Sequence, residues 1–406
     1  MSEPPTPAAP PPVPPRTPAS SAGRPDAERL AAYRAAFDVS PGLVYLDHAA
    51  IGPLARPVRA AVAAHNETRG TTAPNDFERL LPALEGVRAR LGRLLGVPAA
   101  WTEFAPNTSG ALGVLAYGYP WRAGDRVAVP ACEFPANVQP WRHLAARGVA
   151  VDFVPHREGT FSPDDVRAAL TPRTRVLAVS WVQFLSGFRA DLPALATLCR
   201  ERGVWLCVDA IQGLGALAFD MDVLGADFVA CGGHKWLGAP EGAAFFAVRP
   251  ALMDRLDPRR GWLNGPVDWD AFDDFSDALH PTAERFRTGM LAAGPLLGLG
   301  AALDLHAAAG AGVVEAAVLE AAQRLAEGLG RLGMRRYGPS GAPASGIVTV
   351  EAPDPEGLVA HLAAEGVQVS LRSRRVRLAP HARTAPAELE AALAAVAAYV
   401  SHGRSA

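Results

Sequence analysis

WLCVDAIQG (205–213), followed closely by DFVACGGHKWLGAPEG (227–242), reads as two buried strands, each ending on a chemically active side chain. The apolar runs are short and carry no amphipathic helical period, as expected of strands covered on both faces. The first ends on Asp209, with Gln212 three positions later in the following turn. The second runs into Gly232 and Gly233 and then presents His234 and Lys235. Carboxyl ends of parallel strands are where open α/β sheets hold their ligands. Glycine allows a sharp turn and close backbone approach, so a lysine placed there projects into a cleft. Taken singly, Asp209 serves equally well as a helix cap and His234 as a satisfied structural histidine.

Outward from these stretches, short valine-rich runs alternate with longer amphipathic or alanine-rich segments from Val44 onward, the pattern of a parallel sheet covered by helices. Strands are predicted at 126–130, 175–180, 205–210, 227–233 and 243–248, with helices at 191–202 and 57–68. After about Arg285 the pattern changes to long alanine- and leucine-rich helices near 295–309, 313–333 and 385–401, with short strands at 346–350 and 375–378. The expected organisation is a proline-rich tail (1–27), an N-terminal segment (28–60), a large α/β domain (61–285) and a smaller C-terminal α+β domain (286–402).

Of the 39 basic residues, 38 are arginine and one, Lys235, is lysine. Arginine serves wherever charge alone is wanted. It cannot replace an amine that must lose a proton and attack a carbonyl, because the guanidinium stays protonated at ordinary pH. Lys235 is therefore a candidate nucleophile. The net charge of -2 supplies no bulk attraction to nucleic acid or to an anionic membrane. The four cysteines, Cys132, Cys199, Cys207 and Cys231, form no C-x-x-C pair and lie in apolar runs, which fits a reduced, cytoplasmic setting. The proline-rich start lacks the apolar core of a signal peptide.

A third element, FAPNTSGALGVL (104–115), sets Asn107, Thr108, Ser109 and Gly110 before an apolar helical run. A helix start with free amides and small hydroxyls suits an anion, and an ordinary N-cap reads the same way. In combination, the hydroxyl loop, the aromatic loop ACEFPANVQPW, D-x-x-Q, H-K and the late arginine of RVRLAPH resemble the class V aminotransferase family. These are fold type I pyridoxal-phosphate enzymes, a group that includes cysteine desulfurases, kynureninases and isopenicillin-N-epimerase-like proteins. The resemblance runs from VYLDHAAIGP near 44 to about 393.

The resemblance implies pyridoxal 5'-phosphate held as an imine on Lys235, with Asp209 keeping the pyridine nitrogen protonated and Gln212 on the phenolic oxygen. It gives the phosphate to Thr108 and His234, with Ser109, Thr288 and Gly289 also beside the cofactor, and stacks Phe134 on the ring. It matches Arg377 to the substrate carboxylate, with His48 and Ala49 nearby, and leaves Arg372, Arg374 and Arg375 as solvated charge. No metal is expected, and a homodimer is.

Several positions depart from the family pattern. Gly232 stands where many relatives have a serine that contacts phosphate, and Phe184 where desulfurases carry an asparagine. The usual G-T pair is Gly289 then Met290, with Thr288 one place early. Desulfurases insert a loop with a reactive cysteine before the carboxylate-binding arginine, whereas Val369 to Arg377 is short and has none. Persulfide chemistry is thereby excluded. The resemblance then implies an enzyme acting on the α-amino group of a small amino acid through an external imine, with Lys235 moving the α-proton. Transamination is the first reading, and a C–S or C–C lyase or an epimerase the second. A non-catalytic, cofactor-binding regulator is a third, and retention of the one lysine argues against it.

Overall fold

The structure is a computed structural model that describes residues 25–75, 77–268 and 275–403. Most of the expected proline-rich tail lies outside the described residues, and its last residues already belong to the helix Asp26–Ala35.

Seven strands form the main sheet: β1 (Thr102–Ala105), β2 (Arg126–Pro130), β3 (Ala150–Val154), β4 (Thr174–Ser180), β5 (Trp205–Asp209), β6 (Phe228–Gly232) and β7 (Ala244–Val248). Their order across the sheet is β1-β7-β6-β5-β4-β2-β3. All neighbouring pairs are parallel except those of β7, which runs antiparallel to both β6 and β1. Every side chain of β6 and β7 is buried, which explains why these strands show as unbroken apolar runs rather than alternating ones. Two apolar layers cover the faces. One contains Leu206, Val208 and Val229, and the other contains Cys207, Phe228 and Phe246. In register, Ser180 of β4 lies beside Asp209 of β5, and Asp209 beside Ala230 of β6. The strand end holding Asp209 is thus flanked on both sides.

A second sheet of β8 (Arg336–Tyr337), β9 (Val348–Val350), β10 (Ser370–Arg372) and β11 (Arg375–Leu378) is antiparallel in the order β10-β11-β9-β8. Residues from the helices Ala311–Arg331, Pro355–Ala364 and Pro386–Gly403 share its core. The helix Ala293–Ala309 behaves differently from the expected boundary at 286. It packs against the helices Arg56–Thr71 and Phe77–Leu95, on the side of the large sheet. It is apolar around its whole circumference, so its pattern alone does not say which core it joins.

The N-terminal segment crosses to the smaller sheet's side. Val44 and Tyr45 pair in parallel with Val367 and Gln368, and Asp47 bridges to Ala379. Residues 47–52 consequently pass between the carboxyl ends of the large sheet and the hairpin β10–β11. No single helix among the described residues is long and apolar enough to cross a membrane.

Candidate active site

Where these three parts meet there is a cavity of about 310 Å³, lined at its floor by Asp209, Gln212 and Lys235. Ala49, Thr108, Ser109, Phe134, His234 and Arg377 also line it, so the structure gathers nine of the residues singled out in the sequence.

Lys235 sits on a turn held from both sides. The Gly52 amide donates to the His234 carbonyl at 2.8 Å, and the Gly238 amide to the Lys235 carbonyl at 3.2 Å. A methyl group at Gly52 would lie 2.1 Å from the Lys235 carbonyl oxygen, so only glycine permits this approach. Burial pushes the Lys235 amine down to about 8, while the Asp209 carboxylate works against that fall and the Arg377 charge adds to it. About a tenth of the amine is then unprotonated at pH 7, far more than for an ordinary lysine.

Asp209 is buried at the end of β5 and accepts a hydrogen bond from the Ile211 amide at 3.0 Å. Burial pushes its carboxyl up to about 6, with the Ile211 amide and the Lys235 charge opposing. A cationic ring nitrogen beside it would be held by the ionised form. Gln212 is fixed at both ends of its amide: Nε2 donates to the Ala49 carbonyl at 3.0 Å, and Oε1 accepts from Trp236 Nε1 at 2.8 Å.

At the other end of the cavity the helix Thr108–Gly118 begins. Asn107 caps it, its side chain accepting from the Gly110 amide at 2.8 Å. The amides of Thr108 and Ser109 have no acceptor within the helix. The Thr108 hydroxyl oxygen is buried and has no hydrogen-bond partner. A methyl group on Gly232 would stand 2.9 Å from that hydroxyl and 3.0 Å from the His234 imidazole. Glycine at 232 thus lets Thr108 and His234 close on one point. Burial lowers the His234 proton affinity, with the Lys235 charge adding to the effect, so its imidazole is available in the neutral form.

Phe134 is half exposed, and the Lys235 amine stands 5.7 Å from the centre of its ring. Its loop is anchored by Glu133, a buried residue that sequence reasoning passed over. Glu133 accepts from the Ser180 amide at 2.7 Å, from the Ser180 hydroxyl, from Gln183 Nε2 at 2.6 Å and from Asn137 Nδ2 at 3.1 Å. Desolvation lifts its carboxyl to about 7 against these four donors. The aromatic loop is therefore tied to the end of β4.

Arg377 is 2% exposed. Its Nη1 donates to the Phe184 carbonyl at 2.9 Å, its Nη2 lies 3.5 Å from Asp47 Oδ1, and its Nε is buried without a partner. Asp47 in turn accepts from the Ser370 hydroxyl at 2.5 Å. Asp47 also went unnoticed in the sequence, although it stands one place before His48. Arg372, expected as solvated charge, lines the cavity as well.

Three expected site residues lie elsewhere. His48 is buried behind the cavity wall, its ring stacked 4.9 Å from that of His381 and its Nδ1 set 3.1 Å from the Ala379 carbonyl. Desolvation holds it neutral, well below the usual histidine range. Thr288 and Gly289 line a separate cavity of about 500 Å³, on the far side of Ser109 and Gly110. Residues 287–292 run along that cavity, which borders the helix start at Ser109 from the other side.

The donor set fits pyridoxal phosphate: a depressed lysine amine, a buried carboxylate in the same cavity, and an unpartnered hydroxyl at a helix start for the phosphate. The comparisons agree with this chemistry. The model of the family "Aminotransferase class-V" matches residues 44–374. A probable cysteine desulfurase of Pseudomonas aeruginosa is 34% identical over 65% of this chain and 67% of its own length. One of Methanothermobacter thermautotrophicus is 30% identical over 64% of this chain, a match that spans 66% of that relative. Among solved structures, the cysteine desulfurase of Thermococcus onnurineus superposes with a TM-score of 0.83 over 92% of this chain and 98% of its own, at 22% identity. A cystine C–S lyase gives the same TM-score at 22% identity over 88% of this chain and 98% of its own. The chain is a fold type I protein and belongs to the class-V aminotransferase family of pyridoxal-phosphate enzymes.

Proposed function

We propose that this protein is a pyridoxal-phosphate-dependent lyase that breaks a carbon–sulfur or carbon–carbon bond in a small amino acid, without a cysteine that carries sulfur. The observation behind it is the lining of the Lys235 cavity, which contains an amine base of lowered proton affinity and no cysteine. Cys199, Cys207 and Cys231 are buried in the core, and burial raises the thiols of all three. Cys132 is half-buried, and its thiol is pushed up to about 12 by desolvation and the neighbouring Glu133. The curated relatives are named for removing sulfur from cysteine, which favours the second reading of the sequence over transamination.

When bound, the cofactor supplies an electron sink for the carbanion formed at the substrate's α-carbon. Lys235 acts on the α-proton: its lowered proton affinity lets the amine accept it and later return it. Asp209 holds the ring nitrogen in its charged form. Thr108, the first amides of its helix and neutral His234 hold the phosphate. Phe134, tied to β4 through Glu133, covers one ring face. Arg377 takes the substrate carboxylate on Nε and the open edge of its fork, with Asp47 fixing the guanidinium from behind.

A homodimer is part of the reading. Trp262 and Met290 expose large apolar surface beside Thr288 and Gly289, as a face covered by a second copy would.

The test is a count of product per site. Holoenzyme given one amino acid and no keto acid should release many equivalents of product while its near-visible band persists. One keto acid per site with bleaching of the band would restore transamination, and inversion at the α-carbon with no release would make the protein an epimerase.

A further inference from the structure

The hairpin β10–β11 brings a second arginine to the mouth of the cavity. Arg372 ends β10 and lines the same space as Lys235 and Arg377. Its neighbour across the ladder, Arg375, is engaged elsewhere: it pairs with Glu351 at 3.2 Å, and its guanidinium lies 4.0 Å over the Tyr337 ring. Arg372 donates to the Leu371 carbonyl at 2.8 Å, and no carboxylate pairs with it among the described residues. The two residues that join the strands, Ser373 and Arg374, have φ of 47° and 58°. Two-residue hairpin loops adopt this left-handed pair of conformations, and asparagine and glycine normally supply it. Here a serine and an arginine do so against their preference, and strain of this kind collects where a short loop must hold a group in place.

Charge in the cavity is unbalanced. The acid in its lining, Asp209, lies at the floor against Lys235, and Asp47, outside the lining, stands behind Arg377. The α-carboxylate of a substrate needs one arginine, and the cofactor phosphate has its own donors at Thr108 and His234. Arg372 is left over. We propose that Arg372 is a specificity residue that receives a second anionic group on the substrate's side chain, so that the preferred substrates are acidic amino acids bearing a carboxylate or a sulfinate. The inference rests on the reading of the site as an amino-acid enzyme and adds its substrate class. The field of Arg372 reaches the machinery, since it lowers the proton affinities of both Lys235 and Arg377. An anion docked on Arg372 would offset that repulsion.

The test titrates holoenzyme, by the change in its near-visible absorption, with L-aspartate, L-glutamate and L-cysteine sulfinate against L-asparagine, L-glutamine and L-alanine. Acidic ligands should bind about tenfold or more tighter than their neutral counterparts, the yield of hydrogen bonds to a charged group. Arg372→Met should abolish that preference, bringing the ratio of acidic to neutral affinity to within about twofold of one, while Arg372→Lys should keep part of it. Arg372 is exposed, so these variants are expected to fold. The relative strength of carboxylate and sulfinate identifies which acid the site takes. Equal binding of aspartate and asparagine, or equal loss of both in Arg372→Met, would overturn the inference and leave the amino-acid enzyme standing. Failure of every amino acid to perturb the absorption would overturn both.

Discussion

Asp47 Oδ1 and Arg377 Nη2 stand 3.5 Å apart, joining the N-terminal segment to the strand that brings Arg377 to the cavity. The pair orients a guanidinium whose Nε is buried and without a partner. Arg377→Leu should therefore weaken binding of amino acids by about ten- to a hundredfold, the value of hydrogen bonds to a charged group, while the matching amines lose little. Comparing the two ligand series on the same variant separates this from a loss of fold, and the melting temperature reports what removing the arginine from beside Asp47 does to stability. Equal losses for amines and amino acids would move the carboxylate site away from Arg377.

Gly232 leaves room for the Thr108 hydroxyl and the His234 ring, the proposed phosphate donors. A Cβ there would meet the Thr108 hydroxyl at 2.9 Å and the His234 ring at 3.0 Å, so Gly232→Ala must displace one of them. Overpacking of this kind costs on the order of 1–3 kcal/mol, about five- to a hundredfold if it falls on cofactor affinity. The loss should appear for pyridoxal phosphate and be much smaller for pyridoxal, measured by equilibrium dialysis. Equal losses for both would place the clash at the ring rather than at the phosphate.

His306 is buried with neither ring nitrogen hydrogen-bonded, and desolvation lowers it to about 4. The unfolded chain takes up this proton near pH 6.5, the folded chain only near 4, so the stability this residue permits at neutral pH is lost as pH falls across that window. The loss is on the order of 3 kcal/mol by pH 4. His306→Leu should raise the melting temperature at pH 7, by removing an unpaired buried polar group, and should flatten its fall between pH 6.5 and 4. An unchanged acid slope would mean that His306 is not the group that titrates.

Much of this was legible in the sequence because each decisive residue sits at the end of a buried strand or the start of a helix. Asp209 ends WLCVD, Lys235 follows the glycines that close β6, and Thr108 opens a helix capped by Asn107. Local pattern locates such positions. What escaped were residues whose role depends on contacts far along the chain. Asp47 meets Arg377 across 330 positions, and Glu133 meets Ser180 across 47. His48 lies one place from Asp47 yet turns into the core, stacked on His381, a direction that spacing alone does not reveal. Strands β1 and β3 were not foreseen. β1 sits at the sheet's edge, antiparallel to β7, and β3 keeps only Val154 fully buried, so neither carries the unbroken apolar run that marks a central strand. Arg372 reads as a solvated charge among several arginines until the tight turn at 373–374 brings it to the cavity.

The central claim is that Lys235 holds the cofactor, and because the chain has one lysine the measurement is unambiguous. Protein supplemented with pyridoxal phosphate should be reduced with borohydride, digested, and its peptides weighed. The account predicts near-visible absorption before reduction, and afterwards one modified peptide, with the cofactor's mass fixed on Lys235. Supplemented protein with Lys235 intact that shows no such absorption and yields no modified peptide would contradict it.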